Sequence, residues 1–148
     1  MASHDVQVIN NTIYATGGGA GIYIVDKAKN ATILNNIILH RDARAAIAIE
    51  TTSMSGLVSD YNVFSDGIEI DGDLQPLSVF KAATKTDSHS VLSDAVSLWV
   101  NIATRDFHLK PSSPAVGSGT SAGAPSLDFA GTPRVIVNGK ADAGAYQH

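Results

Sequence analysis

The chain has 148 residues, which is the size of one domain. Hydrophobic residues make up 44% and charged residues only 16%, against roughly 25% charged in an ordinary globular domain. The formal charge of −4 provides no basic field for phosphates, so we expect no nucleic-acid partner. The sequence contains no cysteine, which excludes disulfides, thiolate metal sites and cysteine nucleophiles.

Membrane attachment is likewise not expected. No apolar run approaches the roughly 18 residues that a membrane-spanning helix needs. The first residues, Met1 to Asp5, carry no signal-peptide pattern, so we expect no signal peptide in this chain.

An internal repeat occupies the first half of the chain. Asn10, Asn35 and Asp60 follow one another at steps of 25 residues, each within a short β-branched run. A second run recurs at residues 21–24, 46–49 and 67–70, and the last of these steps is shortened to 21 residues. Short alternating runs bounded by Asn or Gly are typical of strands rather than helices. We expect the three repeated polar residues to stack at one bend in a structural role.

A repeat of this length built from strands predicts one rung of a parallel β-solenoid, because parallel strands need a long crossover. Six isoleucines are then expected to stack inward in columns, one rung above the next: Ile22, Ile24, Ile47, Ile49, Ile68 and Ile70. Tyr23, Ala48 and Glu69 should point outward. The predicted fold class is therefore all-β, a right-handed parallel β-helix of about three coils with a short helix and an irregular C-terminal cap.

The repeat ends after Gly72. The spacing of apolar residues predicts one short helix from about Leu77 to Lys85. The remaining sequence alternates brief extended pieces with Gly, Pro and Ser, and we expect it to cover the last coil. The predicted organisation is one domain, with coils in residues 1–75 and a helix and capping segment in residues 76–148.

Several motifs together resemble one known family. They are Asn10-Asn11-Thr12-Ile13, Asn35-Asn36-Ile37-Ile38, Asp60-Tyr61-Asn62-Val63-Phe64, Ser113-Pro114-Ala115, Gly131-Thr132-Pro133-Arg134 and Asp142-Ala143-Gly144-Ala145-Tyr146. The combination resembles the C-terminal coils and cap of right-handed parallel β-helix repeat proteins of the pectate-lyase-like superfamily. Such proteins usually have many coils, so the chain resembles a terminal fragment or a miniature of one.

The resemblance implies a polysaccharide-associated protein at the cell surface or outside the cell. An active member would be a polysaccharide lyase acting by β-elimination. No catalytic motif of the family can be matched residue by residue, so a truncated or non-catalytic member is the favoured interpretation. Fold alone does not fix the activity.

The resemblance also implies that substrate lies along an outward strand face, where acidic side chains hold Ca²⁺. Tyr23 and Glu69 are then the candidate substrate-binding residues. Glu50 and Asp71 each directly follow the second isoleucine of their run, with Asp73 just beyond, so these three are candidate Ca²⁺ ligands. The alternative interpretation of Glu50, Asp71 and Asp73 is an ordinary solvated turn.

His40, Arg41 and Arg44 form a second candidate cluster. A basic residue beside a uronate can neutralise its carboxylate and serve as the base of β-elimination, which makes these residues candidates for catalysis. The favoured alternative is that Arg41 stacks over Asp66, 25 residues further on, as a surface ion pair.

A second class of function is a non-catalytic scaffold that self-assembles. The first strand begins almost at once with Val6-Gln7-Val8-Ile9, which predicts an open N-terminal coil with exposed apolar residues. A second copy would cover this end and give a homodimer. The alternatives are that Met1 to Asp5 folds back as a lid, or that upstream coils occupy the end.

Overall fold

The structure is a computed structural model that describes residues 3–42, 44–65 and 67–148. It is mostly β-structure, with 12% of residues helical. The strands are β1 (Gln7–Ile9), β2 (Thr12–Ala15), β3 (Ile22–Ile24), β4 (Thr32–Leu34), β5 (Ile37–His40), β6 (Ile47–Ile49), β7 (Val58–Asp60), β8 (Val63–Phe64), β9 (Ile68–Ile70), β10 (Asp73–Gln75), β11 (Val91–Leu92), β12 (Trp99–Asn101), β13 (Asp106–Leu109), β14 (Gly119–Thr120) and β15 (Lys140–Ala141). The helices are α1 (Leu77–Thr84) and α2 (Ala95–Leu98), with 3-10 turns at Thr51–Ser53 and Ile102–Thr104. In the described part of the chain, no helix is both long and apolar enough to cross a membrane.

The first nine strands pair in parallel in three sheets, and strands that are three apart along the chain belong to the same sheet. The first sheet is β1-β4-β7, the second contains β2-β5-β8 and the third contains β3-β6-β9. Three successive units, residues 7–24, 32–49 and 58–70, therefore contribute one strand each to every sheet. Ile22 pairs with Ile47, which pairs with Ile68, as the sequence predicts. The prediction of a mostly β protein with parallel sheets is confirmed.

One predicted alignment is wrong by a single residue. Leu34 pairs with Asp60. The residue of the next unit that is equivalent to Asn35 is therefore Tyr61 and not Asp60. Asn10, Asn35 and Tyr61 share a left-handed backbone, with φ of 54°, 57° and 57°. The turn between β6 and β7 is one residue longer than the turn between β3 and β4, which moves the third unit out of the 25-residue step.

The interior of the units forms one apolar core. The inward side chains of the second and third sheets meet there, among them Ile38, Ile47 and Phe64, all of them fully buried. Leu77 and Phe80 of α1 close over this core, while β10 pairs in antiparallel fashion with β9 at the end of the third sheet. The predicted helix therefore covers the last unit.

A second core lies on the outer face of the second sheet. Outward-facing side chains of β5 and β8, including Leu39 and Val63, pack against Leu98, Trp99 and Leu109. Residues 95–148 thus lie along the side of the units, whereas the sequence predicts that the whole C-terminal segment covers the last coil. The C-terminal segment takes this position because the outer face of the second sheet is apolar and must also be buried.

The side chains of Asn10 and Asn35 attach this C-terminal segment to the units. The Asn35 amide donates to Thr120 O at 2.8 Å, and its Oδ1 accepts from the Thr120 N–H at 2.8 Å. The Asn10 amide donates to Asp142 O at 3.0 Å. Both asparagines are structural, as predicted, but they bind a segment that is distant in the sequence.

Candidate functional site

The outward face of the third sheet carries the predicted substrate-binding residues. Tyr23, Ala48 and Glu69 lie in one row across β3, β6 and β9, because they are register partners in the parallel sheet. A groove of about 500 Å³ runs over this row, and its lining also includes Glu50 and Asp71. The structure therefore brings together four of the five candidate residues of this face.

The ring of Tyr23 is held at one end of the groove. Its hydroxyl accepts a hydrogen bond from the Ala20 N–H at 2.9 Å. Gly19 allows this contact, since a Cβ at that position would lie 2.5 Å from the hydroxyl oxygen. Tyr23 is nevertheless 56% exposed. An exposed aromatic ring held in this way offers a flat apolar surface to a ligand.

The carboxylates of Glu50 and Asp71 connect successive units. Glu50 Oε2 accepts from the Asp26 N–H at 2.9 Å, and Asp71 Oδ1 accepts from the Thr51 N–H at 2.9 Å. The other Asp71 oxygen accepts from the Thr51 hydroxyl, and these hydrogen bonds from Thr51 lower the pKa of Asp71. Each carboxylate thus accepts a hydrogen bond from a backbone amide of the preceding unit. This agrees with the alternative interpretation, in which these residues belong to ordinary turns.

Calcium binding at these residues stays a prediction. Asp73 is exposed and belongs to the antiparallel strand β10, where it pairs with Ile70 of β9. It does not line the groove. Within residues 3–42, 44–65 and 67–148, no group of three or more Asp, Glu, His or Cys side chains is placed to share a metal ion. Any Ca²⁺ at Glu50 and Asp71 would need ligands from backbone carbonyls, water or a bound glycan.

The second candidate cluster, His40, Arg41 and Arg44, is not brought together at one site. His40 is buried at the end of β5, where its Nδ1 lies 3.0 Å from Asp42 O, whereas Arg44 is exposed. Arg41 Nε lies 3.3 Å from Asp42 Oδ1. His40 and Arg41 line a pocket of about 310 Å³ that does not include Arg44. The predicted contact of Arg41 with Asp66 lies outside the described residues.

An unpredicted histidine–aspartate pair lies at the corner where β7 ends. His89 Nδ1 is 2.7 Å from Asp60 Oδ2, and the His89 N–H donates to Asp60 Oδ1 at 2.7 Å. The rings of Tyr61 and His89 stack in parallel, with 4.4 Å between centroids. Burial raises the pKa of Asp60, but hydrogen bonds from His89 and Tyr61 outweigh it and leave the pKa lowered.

A sequence signal for this pair exists. The run Asp87-Ser88-His89-Ser90-Val91-Leu92 resembles Ser59-Asp60-Tyr61-Asn62-Val63-Phe64, and Val91 pairs in parallel with Val63. The run is therefore a partial fourth unit in the second sheet.

Comparison with known proteins identifies a bacterial relative. The chain is similar to the uncharacterized protein YwoF of Bacillus subtilis (strain 168), with 30% identity over 104 residues, or 66% of this chain. The chain spans only 22% of the length of that protein. Neither a protein-family model nor a solved structure matches the chain significantly.

Proposed function

We propose that this chain is a carbohydrate-associated module with a right-handed parallel β-helix fold of about three coils, related to the pectate-lyase-like superfamily. The proposed fold is supported by the three parallel sheets, because each unit contributes one strand to each sheet in the same order. Right-handedness follows the general rule for parallel crossovers. As for the proteins that it resembles, the proposed location is the cell surface or the extracellular space.

The observation that carries the proposal is the groove over Tyr23, Ala48 and Glu69. Ligand sites combine an apolar surface with a few polar groups that converge on it. Here the exposed Tyr23 ring provides the apolar surface, and Glu50, Thr52 and Glu69 provide polar groups along the same groove. A sugar has the matching surface, because one face of the ring is apolar and its edge carries hydroxyl groups.

A glycan array, run with and without Ca²⁺, tests the proposal. We expect binding of at least one polysaccharide class, and we expect Tyr23→Ala to reduce it by about fivefold or more. Phe129→Ala is the matched control, because Phe129 is an aromatic residue that is 79% exposed and lies outside the groove. No binding to any glycan, or equal loss with both variants, would contradict the proposal.

Catalysis is tested separately by incubation with polygalacturonate or alginate. Unsaturated products, followed by ultraviolet absorbance, would identify a β-eliminating lyase. We expect no turnover, since His40 is buried, Arg44 lies outside the pocket that His40 and Arg41 line, and these residues are not part of the groove over Tyr23.

A second candidate function is self-assembly through the first unit. The strands β1, β2 and β3 lie at the edges of their sheets. A cavity of about 300 Å³ opens between β1 and β3, with Val6, Val8, Ile22 and Ile24 in its lining. We propose a second copy as its occupant. The opposite end is covered by α1 and β10, so the two first units would meet about a two-fold axis.

Light scattering decides whether the chain self-associates. We expect a dimer at about 100 µM that Val6→Lys dissociates, because Val6 is 47% exposed and lines the cavity. Val100→Lys is the control, since Val100 is 50% exposed but belongs to β12. A monomer at this concentration would exclude the dimer.

A further inference from the structure

The lining of the groove over Tyr23 carries one sign of charge. Glu50, Glu69 and Asp71 are acidic, and the lining that the structure describes contains no lysine, arginine or histidine. A groove lined by one sign of charge raises the local concentration of ligands of the opposite sign. It disfavours a polyuronate, which would bring further carboxylates against these three.

The three carboxylates differ in the hydrogen bonds that they already make. Both oxygens of Asp71 accept hydrogen bonds from Thr51, and Glu50 Oε2 accepts from the Asp26 N–H. Glu69 has no side-chain hydrogen bond within the described part of the chain and is half-buried on the open face of β9. Its carboxylate is therefore available to a ligand without the loss of an existing contact.

The dimensions of the row set the size of the ligand. Tyr23 and Glu69 are two strands apart, which corresponds to about 10 Å across a sheet. Ala48 lies between them, and its small side chain forms the floor of the groove. A disaccharide unit spans this distance, so one sugar ring can lie on Tyr23 while the next reaches Glu69.

We propose that the groove binds a glycan of free amino sugars, with one ring on Tyr23 and an ammonium group of the next ring paired with Glu69. An ammonium group donates up to three hydrogen bonds and matches an acidic, unpaired acceptor. This inference rests on the proposed carbohydrate-binding function and specifies the ligand class for the same groove.

The test compares three soluble oligosaccharides of matched length by calorimetry: de-N-acetylated glucosamine, N-acetylated glucosamine and galacturonate. We expect the amino-sugar oligomer to bind most tightly at low salt, and its affinity to fall as salt screens the charges. Glu69→Gln should reduce that affinity by about two- to fivefold, as expected for an ion pair that stays accessible to solvent, and should leave the binding of the N-acetylated oligomer nearly unchanged.

Asp73→Asn is the matched control, because it removes the same charge from an exposed position outside the groove. Tighter binding of the N-acetylated oligomer or the galacturonate oligomer would overturn the inference but leave the proposed function intact. An equal effect of Glu69→Gln and Asp73→Asn would also overturn it, because general attraction to an acidic protein would then explain the binding. If none of the oligomers binds and the glycan array is negative, the proposed function itself fails.

Discussion

The side-chain oxygen of Asn62 accepts two hydrogen bonds from Asn36, one from its backbone N–H at 2.9 Å and one from its side-chain amide at 3.1 Å. The same pair of contacts joins Asn36 to Asn11 in the preceding unit, at 2.9 and 3.3 Å. Asn36 and Asn62 are fully buried, so this asparagine column links three units inside the corner between the first and second sheets.

Removal of the buried acceptor at one end of this column, Asn62, should destabilise the fold strongly. Asn62→Ala removes the acceptor of the buried Asn36 backbone N–H, and it removes the amide that donates to the Ile33 carbonyl at 2.9 Å. We expect a loss of about 3 kcal/mol in the free energy of unfolding, measured by urea denaturation. Asn11→Ala, at the exposed end of the column, should cost less than about 1 kcal/mol. Equal losses at Asn62 and Asn11 would show that burial does not determine what each asparagine contributes to stability.

The buried carboxyl group of Asp87 predicts a pH-dependent stability. Burial raises the pKa of Asp87 above its ordinary value of 3.8, although Ser90 donates to Oδ1 at 2.6 Å. Because the folded pKa lies above the unfolded one, this residue favours folding at low pH, and its contribution falls as pH rises through the folded pKa. Asp87→Asn should therefore raise the melting temperature near about pH 7 and change it less near about pH 3.

Asp94 provides a control of opposite sign for this experiment. It caps α2, where hydrogen bonds from the Ser97 hydroxyl and backbone lower its pKa. Asp94→Asn should lower the melting temperature at neutral pH, with an effect that disappears in acid. If Asp87→Asn and Asp94→Asn shift the melting temperature in the same direction at neutral pH, the assignment of Asp87 is wrong.

Arg134 holds the C-terminal segment together. Its guanidinium donates to Gly144 O at 2.8 Å and Ala145 O at 3.1 Å, and it is buried. Arg134→Met should cost about 2–4 kcal/mol, because these carbonyls lose a charged donor. Arg134→Lys should recover only part of the loss, since an ammonium group lacks the planar fork. Urea denaturation and limited proteolysis of the C-terminal segment measure both effects.

A control for Arg134 comes from the surface of the same protein. Arg44→Met removes an exposed guanidinium and should change the stability by less than about 0.5 kcal/mol. A comparable loss in Arg44→Met and Arg134→Met would mean that the total charge, rather than the buried contacts, determines the stability.

Calcium binding is predicted to be weak. Glu50 and Asp71 already accept hydrogen bonds from the preceding unit, so a cation must compete with these contacts. We expect a dissociation constant on the order of 1 mM, and Glu50→Gln should weaken it further. Calorimetry that detects no binding at millimolar Ca²⁺, or an unchanged affinity in Glu50→Gln, would exclude this site.

The alternation within each strand could be predicted from the sequence. Ile22 and Ile24 flank Tyr23, and strand geometry places the two isoleucines on one face and the tyrosine on the other. Repetition of this pattern then predicts the stacked column of Ile22, Ile47 and Ile68 that is observed. It also places Tyr23 and Glu69 in one outward row, because the period of a strand is fixed by its backbone.

The exact register and the position of the C-terminal segment were decided only by tertiary contacts. Because one turn has an extra residue, Tyr61 and not Asp60 is the residue equivalent to Asn35 in the next unit. The local sequence constrains the length of a turn only weakly. Asn35 binds Thr120, 85 residues away, and such long-range hydrogen bonds leave no periodic signal. The outer face of the second sheet has to be buried, and the folded chain alone determines which distant segment covers it.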